Sequence, residues 1–528
     1  MHGSPHAAVA HFSAMNMPLS DPLENLNADA LRALLREREQ QLAQKDRLIR
    51  HKDTTIAQLT HEIAVLRRFR FGKKSEQLTG VQGSLLEEAV AADIAAIEEE
   101  LHQLTDHPKK VAPREQPKRQ ALPPELPRIE IHHEPHSTTC ACGCQLERIG
   151  EDVAEKLDYI PGVARVERHI RGKWACRACE TLTQAPAPAH VIDKGLASTG
   201  LLAHVLVAKY ADHLPLYRQQ KIFARAGVKL PISTMADWVG VCGVRLQPLV
   251  DALRETILTH GVLHADETPI QVLRPDTGRK THRAYLWAYA PGAFEDLKAV
   301  VYDFAPSRAG EHARAFLGDW RGKLVVDDYV GYKKTLGLDG VTEIGCMAHA
   351  RRKFFDLHTA NQSQLAAQAL DYIGELYAIE REAKLLHTRE RWRLRQEKAK
   401  PIADKLHAWM LAQRSRVPDG SGTAKALDYS LKRWVALTRY LDDGAAPIDN
   451  NHIEQQIRPL AVGRKNWLFA GSERAGRRAA AVMSLIQSAK LNGIDPHAYL
   501  KDVLTRLPTH PNRRIEELLP HNWQPANA

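Results

Sequence analysis

One stretch near the middle of the chain decides how the rest of the sequence is interpreted: VLHADETPIQVL, from Val262 to Leu273. It begins with the apolar run of a buried strand and continues directly into two acids, Asp266 and Glu267. A carboxylate at the end of a buried strand costs free energy unless a cation compensates it. The stretch therefore predicts a strand that carries a carboxylate to a site with a cationic partner.

Further strand-like runs follow, and one of them repeats this pattern. AYLWAYA and KAVVYDF come first, and KLVVDDYVGY then ends its apolar part in Asp327 and Asp328. Strands followed by mixed strands and helices indicate an α/β or α+β domain around a central sheet. Carboxylates that are brought together repel one another, and a divalent metal is the usual reason for assembling them. We therefore predict a Mg²⁺ or Mn²⁺ site whose two ions serve phosphoryl transfer.

A third acid is expected from PIDNNHIEQQIRPLAVGRKNWLFAGS, which starts at Pro447. Asp449 or Asn450 is suited to cap a helix that carries Glu454 one turn inside. Arg458 lies four residues further along the same face, so an exposed ion pair between Glu454 and Arg458 is the alternative interpretation. The segment also offers cations and an aromatic ring for contacts with DNA phosphates and bases: Arg458, Arg464, Lys465 and Trp467.

Cysteines cluster upstream of these runs. Five of the seven cysteines lie in one short segment: Cys140, Cys142, Cys144, Cys176 and Cys179. In a reducing compartment such clustering indicates a metal site, and four thiolates complete the tetrahedral shell of zinc. We predict a small zinc ribbon of short strands in which four of the five cysteines bind, and the C-x-C-x-C pattern of the first group leaves open which ones. A redox pair at Cys176 and Cys179 is the alternative.

The N-terminal part has the repeat of a coiled coil. Apolar residues recur at intervals of seven: Leu35, Leu42, Ile49, Ile56 and Ile63. This seam predicts pairing with a second helix, and a single amphipathic helix packed on its own chain is the alternative. The basic run after it, with Lys73 and Lys74, is suited to DNA phosphates or is an ordinary solvated surface. An acidic helix and a linker rich in proline and charge follow.

Between the cysteines and the first acid the sequence is helical. LYRQQKIFARAGVKLPISTMADWVG predicts a helix, a turn at Gly227 and a second helix capped by Ser233 or Thr234. This order resembles a helix-turn-helix, which is a common DNA-binding unit, and many helical hairpins without DNA contacts share it.

The composition of the 528 residues favours a nucleic-acid partner. Lys and Arg number 73 against 63 Asp and Glu, a formal charge of +10 that attracts polyanions such as DNA. No apolar stretch reaches the length of a membrane span, and the N-terminus lacks the pattern of a signal peptide. We therefore expect a cytoplasmic, nucleoid-associated protein without membrane contact.

The ordered set of motifs resembles the transposases of the insertion sequence 66 family. The resemblance rests on HADETP, VVDDYVGY, CMAHARRKFFD and DNNHIEQQIRPLAVGRKNWLFAGS, together with IGEDVAEKLDYIPG, RGKWACRAC and KYADHLPLYRQQ upstream. It extends from about Leu31 to Trp523, and several of the motifs are long and unusual.

This resemblance implies a bacterial DDE transposase with a ribonuclease-H-like catalytic domain. On the family pattern, Asp266, Asp327 and Glu454 are the catalytic carboxylates that hold the Mg²⁺ or Mn²⁺ ions. Glu267 and Asp328 are then neighbours of the site rather than ligands.

The long segment between the second and third acids implies a helical insertion at about 358–440. Cys346 and His349 form a C-x-x-H arrangement that resembles a motif at the corresponding place in several DDE transposases. We interpret the pair as packing or positioning the insertion, and metal binding is the alternative.

The implied activity is cleavage at the ends of an insertion sequence by metal-activated water, followed by attack of the freed 3′-hydroxyl on target DNA. The implied partners are element and target DNA, a second copy of the chain through the coiled coil, and small accessory proteins of the same element. A non-catalytic, zinc-stabilised DNA-binding protein and a nuclease that cannot join strands are the alternatives.

Together the predictions give a multidomain α/β chain. In order, its parts are a disordered N-terminus (1–29), a coiled-coil helix with a basic end (30–80), an acidic helix and linker (81–128), a zinc-ribbon-like DNA-binding domain (129–185), a helical, helix-turn-helix-like domain (186–258), the ribonuclease-H-like catalytic domain with its helical insertion (259–478) and a C-terminal helical segment (479–528).

Overall fold

The structure is a computed structural model, and it describes most of the chain. The described residues are 28–71, 80–104, 122, 124, 126–135, 137–160, 162–193, 195–273, 281–337, 339–467 and 470–526. The predicted disorder before residue 28 lies outside them. Two compact units result, Met1–Ala64 and Val65–Ala528. Across the described residues, no helix combines the length and the apolar character that crossing a membrane requires.

The predicted coiled-coil segment forms one continuous helix, α1 (Ala28–Phe71). Two residues of the heptad seam, Leu42 and Ile49, are exposed, with 61% and 54% of their surface open to solvent. Large apolar side chains in register on one face of a long helix are typical of a surface that pairs with another helix.

The cysteine-rich segment folds as a small sheet with the strand order β1-β3-β2, and β4 pairs with the free end of β3. The strands are β1 (Arg128–His133), β2 (Glu147–Ile160), β3 (Val163–Ala175) and β4 (Leu182–Gln184). β2 and β3 form an antiparallel hairpin, whereas β1 runs parallel to β3. The hairpin strands are 14 and 13 residues long, so the prediction of short strands was wrong here.

The helical segment after this module contains α3 (Thr199–Tyr210), α4 (Leu216–Arg225) and α5 (Ile232–Ile257). Gly227 makes the predicted turn with φ of +81°, a left-handed conformation that glycine adopts without strain. The predicted cap at Ser233 or Thr234 was wrong, because α5 begins at Ile232 directly after Pro231.

α5 is a buried core helix rather than an exposed one. Twelve of its residues are buried. It packs against the acidic helix α2 (Gly80–Leu104), and a Cβ added at Gly240 would come within 2.3 Å of the Ala92 carbonyl oxygen. Asp93 of α2 also forms a buried ion pair with Arg478 of a later helix, at 3.0 Å, and the Arg478 side chain packs against Gly243 of α5. The second helix of the predicted helix-turn-helix is therefore largely enclosed by its own chain.

The central sheet has five strands in the order β7-β6-β5-β8-β9. They are β5 (Val262–Leu273), β6 (Thr281–Pro291), β7 (Val301–Ala305), β8 (Gly322–Val326) and β9 (Val341–Gly345). The first three are antiparallel neighbours, and β8 and β9 run parallel to β5. Two short helices, α6 (Gly310–Leu317) and α7 (Lys333–Leu336), connect β7, β8 and β9. The mixed α/β prediction is confirmed by this layer.

A helical region follows β9, and its apolar core includes Val262, Val325 and Ile344 of the central sheet. Its helices are α8 (Met347–Asn361), α9 (Gln364–Ala383), α10 (Thr388–Leu394), α11 (Lys400–Arg414), α12 (Gly422–Lys432) and α13 (Trp434–Thr438). Phe354, Ile373 and Leu406 are among the apolar side chains buried at its centre. The region begins at Met347, earlier than the predicted start of the insertion, because α8 follows β9 almost directly.

Three helices complete the fold: α14 (Asn451–Trp467), α15 (Glu473–Leu491) and α16 (Pro496–Arg506). α15 covers the edge strand β7. The Ser488 hydroxyl accepts a hydrogen bond from the backbone N–H of Val300 at 3.0 Å, and the Ser484 hydroxyl accepts one from the backbone N–H of Tyr302 at 2.8 Å. These bonds satisfy donors that the outer edge of a sheet otherwise leaves unpaired.

Candidate active site and zinc site

Asp266 and Asp327 are brought together by the pairing of two parallel strands. Asp266 lies in β5, and Asp327 directly follows β8. The ladder pairs His264 with Val325, and the same register brings Asp266 level with Asp327. Neighbouring strands lie about 4.8 Å apart. The backbone N–H of Tyr329 donates to Asp327 Oδ1 at 2.9 Å and helps to fix this carboxylate.

Glu454, in the first turn of α14, lies near enough to Asp266 for its charge to raise the pKa of that carboxyl group. The residue before this helix, Asn450, is fully buried and attached to β5. Its Nδ2 donates to the Ala265 carbonyl oxygen at 2.9 Å, and its Oδ1 lies 2.7 Å from His264 Nδ1. Because these bonds fall beside Asp266, they hold the start of α14 next to the first carboxylate.

The site has a surplus of negative charge. Burial raises the pKa of Asp266 well above its usual range, and the charges of Glu267, Asp327 and Glu454 raise it further. Glu454 Oε1 is buried, and no hydrogen-bond partner for it is present among the described atoms. Oxygen ligands that converge without a cation of their own fit a hard divalent ion such as Mg²⁺.

The two neighbouring acids, in contrast, have partners. Glu267 accepts hydrogen bonds from Arg308 Nε at 2.7 Å and from the Tyr332 hydroxyl at 2.9 Å. Asp328 forms an ion pair with Arg433 at the end of the insertion. No local sequence signal marks Arg433, which lies 105 positions from Asp328 and was missed by the sequence analysis. These contacts agree with the interpretation of Glu267 and Asp328 as neighbours of the site.

Arg433 also ties down the segment that carries Asp327. Its Nη2 donates to the Glu343 carboxylate at 2.6 Å and lies 3.4 Å from the carbonyl oxygen of Asp327. Since only 11% of the Arg433 side chain is exposed, these bonds form in a largely desolvated environment and constrain the strand ends strongly.

The C-x-x-H pair lies beside the third carboxylate. His349 Nδ1 is 3.8 Å from Glu454 Oε1, and the Cys346 sulfur accepts the backbone N–H of Asn450 at 3.3 Å. The candidate ligand atoms of Cys346, His349 and Glu454 lie within 4.8 Å of one another. Burial raises the pKa of the Cys346 thiol to about 12. Positioning of the insertion and metal binding both stay predictions for this pair.

The start of α14 is capped from its N-terminal side. Asp449 Oδ1 accepts the backbone N–H of Asn451 at 3.0 Å, and Tyr377 of the insertion donates to Asp449 Oδ2 at 2.7 Å. Arg458 is exposed and, within the described residues, forms no ion pair with Glu454. Glu454 therefore faces His349 and the carboxylate pair.

The other predicted DNA contacts are placed differently. Arg464 donates to the Pro269 carbonyl oxygen at 2.8 Å, so it joins α14 to β5. Trp467 is half-buried and packs against the main core beside α2. DNA contact by Arg458, Arg464 and Trp467 stays a prediction. Three further candidates lie outside the described side chains: Lys73, Lys74 and Lys465.

Four of the five clustered cysteines converge in the strand module. Cys140 Sγ is 3.1 Å from Cys179 Sγ, and Cys142 Sγ is 3.6 and 3.7 Å from the sulfurs of Cys179 and Cys176. Tetrahedral zinc holds its sulfurs about 3.8 Å apart, so the cluster fits that ion. Cys144 is not a member of the cluster. The geometry therefore selects four candidates where the sequence left five.

The thiols of the cluster share protons through hydrogen bonds. The Thr181 hydroxyl and Cys140 lower the pKa of Cys179 to about 6, whereas the pKa of Cys140 is raised to about 11. A thiolate at neutral pH is the form that ligates zinc.

Family models match nearly the whole chain in separate segments. The model described as Transposase IS66 family matches residues 194–478, and the IS66 C-terminal element matches 484–521. The zinc-finger binding domain of transposase IS66 matches 137–180. A model described as Transposase C of IS166 homeodomain matches 58–131.

Three relatives from Sinorhizobium fredii are similar over most of their length. The uncharacterized protein y4qI is 39% identical over 486 residues, which cover 89% of each chain. The uncharacterized protein y4jD is 38% identical and covers 89% of this chain and 95% of its own length, and y4hP is 36% identical and covers 90% of each chain. The expected family is thereby confirmed: the chain belongs to the IS66 family of transposases and carries that family's zinc-finger domain.

Proposed function

We propose that this protein is a DNA transposase that binds the ends of its insertion sequence, cleaves them and joins them to target DNA in a metal-dependent reaction. The observation that carries the proposal is the convergence of Asp266, Asp327 and Glu454. The strand register beside His264 and the Asn450 bridge to Ala265 support it.

We further infer that the central sheet is the core of a ribonuclease-H-like domain. The support is the strand order β7-β6-β5-β8-β9, with an antiparallel hairpin pair on one side of β5 and two parallel strands on the other. In this sheet Asp266 lies within β5 where its pairing with β8 ends, Asp327 directly follows β8, and the later helix α14 carries the third acid.

In this proposal the acids act through position and charge. Asp266 and Asp327, from adjoining strands, and Glu454, from α14, would hold Mg²⁺ or Mn²⁺, two ions in all. When bound, the ions activate an attacking oxygen and stabilise the leaving oxygen of a phosphodiester. Asn450, Arg433 and Tyr329 fix the carboxylates, which limits the reorganisation that the reaction requires.

The remaining parts of the chain are suited to holding DNA ends together. Zinc on Cys140, Cys142, Cys176 and Cys179 would stabilise the strand module, which we propose as a DNA-binding element. The exposed seam residues Leu42 and Ile49 support pairing of α1 with a second copy of the chain. A dimer would hold the two ends of the insertion sequence together in one protein–DNA complex.

The test is incubation of the purified protein with labelled DNA that carries the ends of its element, with Mg²⁺ or Mn²⁺. Asp327→Asn and Asp328→Asn are the matched pair of variants. We expect cleaved and joined products from the wild type and from Asp328→Asn, and none from Asp327→Asn. Specific binding with no cleavage by any of the three proteins would contradict the proposal and support a non-catalytic DNA-binding protein. Cleavage without joined products would support a nuclease.

A further inference from the structure

A basic groove lies between the insertion and the start of α14. It has a volume of about 760 Å³, and its lining residues include Ala348, Arg351, Arg352, Phe355, Arg381 and Asn451. The lining comes from α8, α9 and the first residue of α14, so three helices form its walls.

The charge of this groove is not neutralised from within the chain. Across the part of the chain that the structure describes, Arg351, Arg352 and Arg381 form no ion pair, and Asp356 is the one acid in the lining. Elsewhere in the insertion, arginines such as Arg395 and Arg414 are paired with carboxylates. Several unpaired guanidinium groups that line one concave surface are typical of a site for a polyanion.

The groove also offers an aromatic ring. Phe355 is 48% exposed, although it lies on a helix whose neighbouring Phe354 is fully buried. The Arg351 guanidinium lies over the Phe355 ring, 5.7 Å from its centroid. An exposed ring beside cations is the combination on which unpaired nucleic-acid bases stack.

The groove opens beside the carboxylate site. On α8, His349 faces Glu454, and Arg352 and Phe355 follow within the next two turns. On α14, Asn451 lines the groove one turn before Glu454. A strand that leaves the carboxylates in this direction would enter the groove directly.

We propose that this groove binds a single-stranded DNA segment next to the bond that is cut, with its phosphates on the arginines and a base on Phe355. Its volume is in the range of about 300–1,000 Å³ that holds one small-molecule ligand, which suits a few nucleotides rather than a duplex. The proposal that this DNA segment adjoins the cleaved bond rests on the proposed function. The proposal that the groove binds single-stranded DNA does not.

The test measures fluorescence anisotropy of a labelled oligothymidine of about 12 nucleotides, without divalent metal, over a series of salt concentrations. The groove variants are Arg351→Ala, Arg381→Ala and Phe355→Ala. Arg393→Ala and Trp392→Ala are matched controls, because both residues are exposed on α10 of the same insertion and outside the groove lining. Thermal melting checks that every variant is folded.

Each groove arginine variant should reduce the slope of log affinity against log salt by about 0.7, the contribution of one phosphate contact to single-stranded DNA. Phe355→Ala should weaken binding at least about five-fold through the loss of stacking. The controls should match the wild type, and no variant should change the affinity for a duplex of the same length. Groove variants that behave like the controls, or an equal loss on the duplex, would overturn the inference.

A second experiment separates this inference from the proposed function. Wild-type cleavage of element-end DNA in Mg²⁺, combined with groove variants that bind oligothymidine like the controls, overturns only the groove. Oligothymidine binding that depends on Arg351, Arg381 and Phe355, combined with no cleavage by the wild type, supports the groove and contradicts the transposase activity.

Discussion

The cysteine cluster and the carboxylate site are assembled in different ways. The four thiols of the zinc-finger module come from two turns that flank one hairpin, β2 and β3, so a single hairpin brings the two cysteine pairs together. The carboxylates come from β5, β8 and α14, and a complete helical insertion separates the second from the third. The zinc site therefore needs only its own hairpin, whereas the carboxylate site needs the whole sheet and its surrounding helices.

The largest effect on the cleavage rate is expected from substitution of the carboxylates themselves. Asp266→Asn and Glu454→Gln should each lower the rate of strand cleavage at least about 1,000-fold, since each removes a proposed ligand of the ions that would stabilise the transition state. Cys144→Ser is the control, because Cys144 lies outside the zinc cluster. Single-turnover cleavage of labelled DNA measures the rates. A rate within ten-fold of the wild type for either carboxylate variant would place the chemistry elsewhere.

The zinc-finger module should respond to substitution locally. Cys176→Ser should lose the bound zinc and destabilise the module by several kcal/mol, because metal binding contributes directly to the folding of such small units. Cys144→Ser should retain the zinc. Atomic emission on the purified proteins measures the metal content, and limited proteolysis reports on the module. Equal zinc loss in both variants would show that the first cysteine group binds through a different set of sulfurs.

A smaller effect is expected at the link between α14 and β5. Asn450→Ala removes the bonds to Ala265 and His264, so Glu454 should lose its alignment while remaining present. We expect a 10- to 100-fold fall in the cleavage rate, roughly the effect of losing a residue that orients a metal ligand, with little change in DNA affinity. Gln455→Ala, on the exposed face of the same helix, is the control. Loss of DNA binding without a change in the single-turnover rate would contradict this role.

The smallest effect is on stability, and its sign follows from the raised pKa of Asp266. A carboxyl group whose pKa is raised by folding favours the native state only in its protonated form, so stability falls as pH rises above its usual pKa of 3.8. In buffer without Mg²⁺ or Mn²⁺, Asp266→Asn should therefore raise the melting temperature at pH 7, by about 2 °C or more. The gain should vanish towards pH 4, and calorimetry across this range measures it. A lower melting temperature for the variant at pH 7 would show that an unrecognised cation already compensates the charge.

The same contrast explains what the sequence could predict. Cysteine spacing predicted the zinc-finger module, and the apolar runs before Asp266 and Asp327 pointed to these two acids, because each signal lies within a short stretch of sequence. The expectation that the first strand ends at its acid was wrong, since β5 continues from Asp266 to Leu273. The contacts that fix the site, from Arg433 to Asp328 and from Asn450 to Ala265, join positions far apart in the chain, and no spacing rule connects them.

Tertiary packing also overrode two local patterns. α5 was expected in a separate helix-turn-helix domain, but its apolar face is continuous with the main core and is covered by α2. Trp467 was expected to stack on DNA bases; it is half-buried against that core, and its contact with DNA stays a prediction. An apolar or aromatic pattern predicts that a surface is buried. Which part of the protein or which partner covers that surface depends on the tertiary fold.

The most direct test of the central claim is anomalous diffraction from crystals soaked with Mn²⁺. If Asp266, Asp327 and Glu454 form one metal site, the anomalous signal should lie between the carboxylates of Asp266 and Asp327, with Glu454 close enough to complete the shell. A signal at Cys346 and His349 that leaves Asp266 without metal, or no signal near the three carboxylates, would contradict the account.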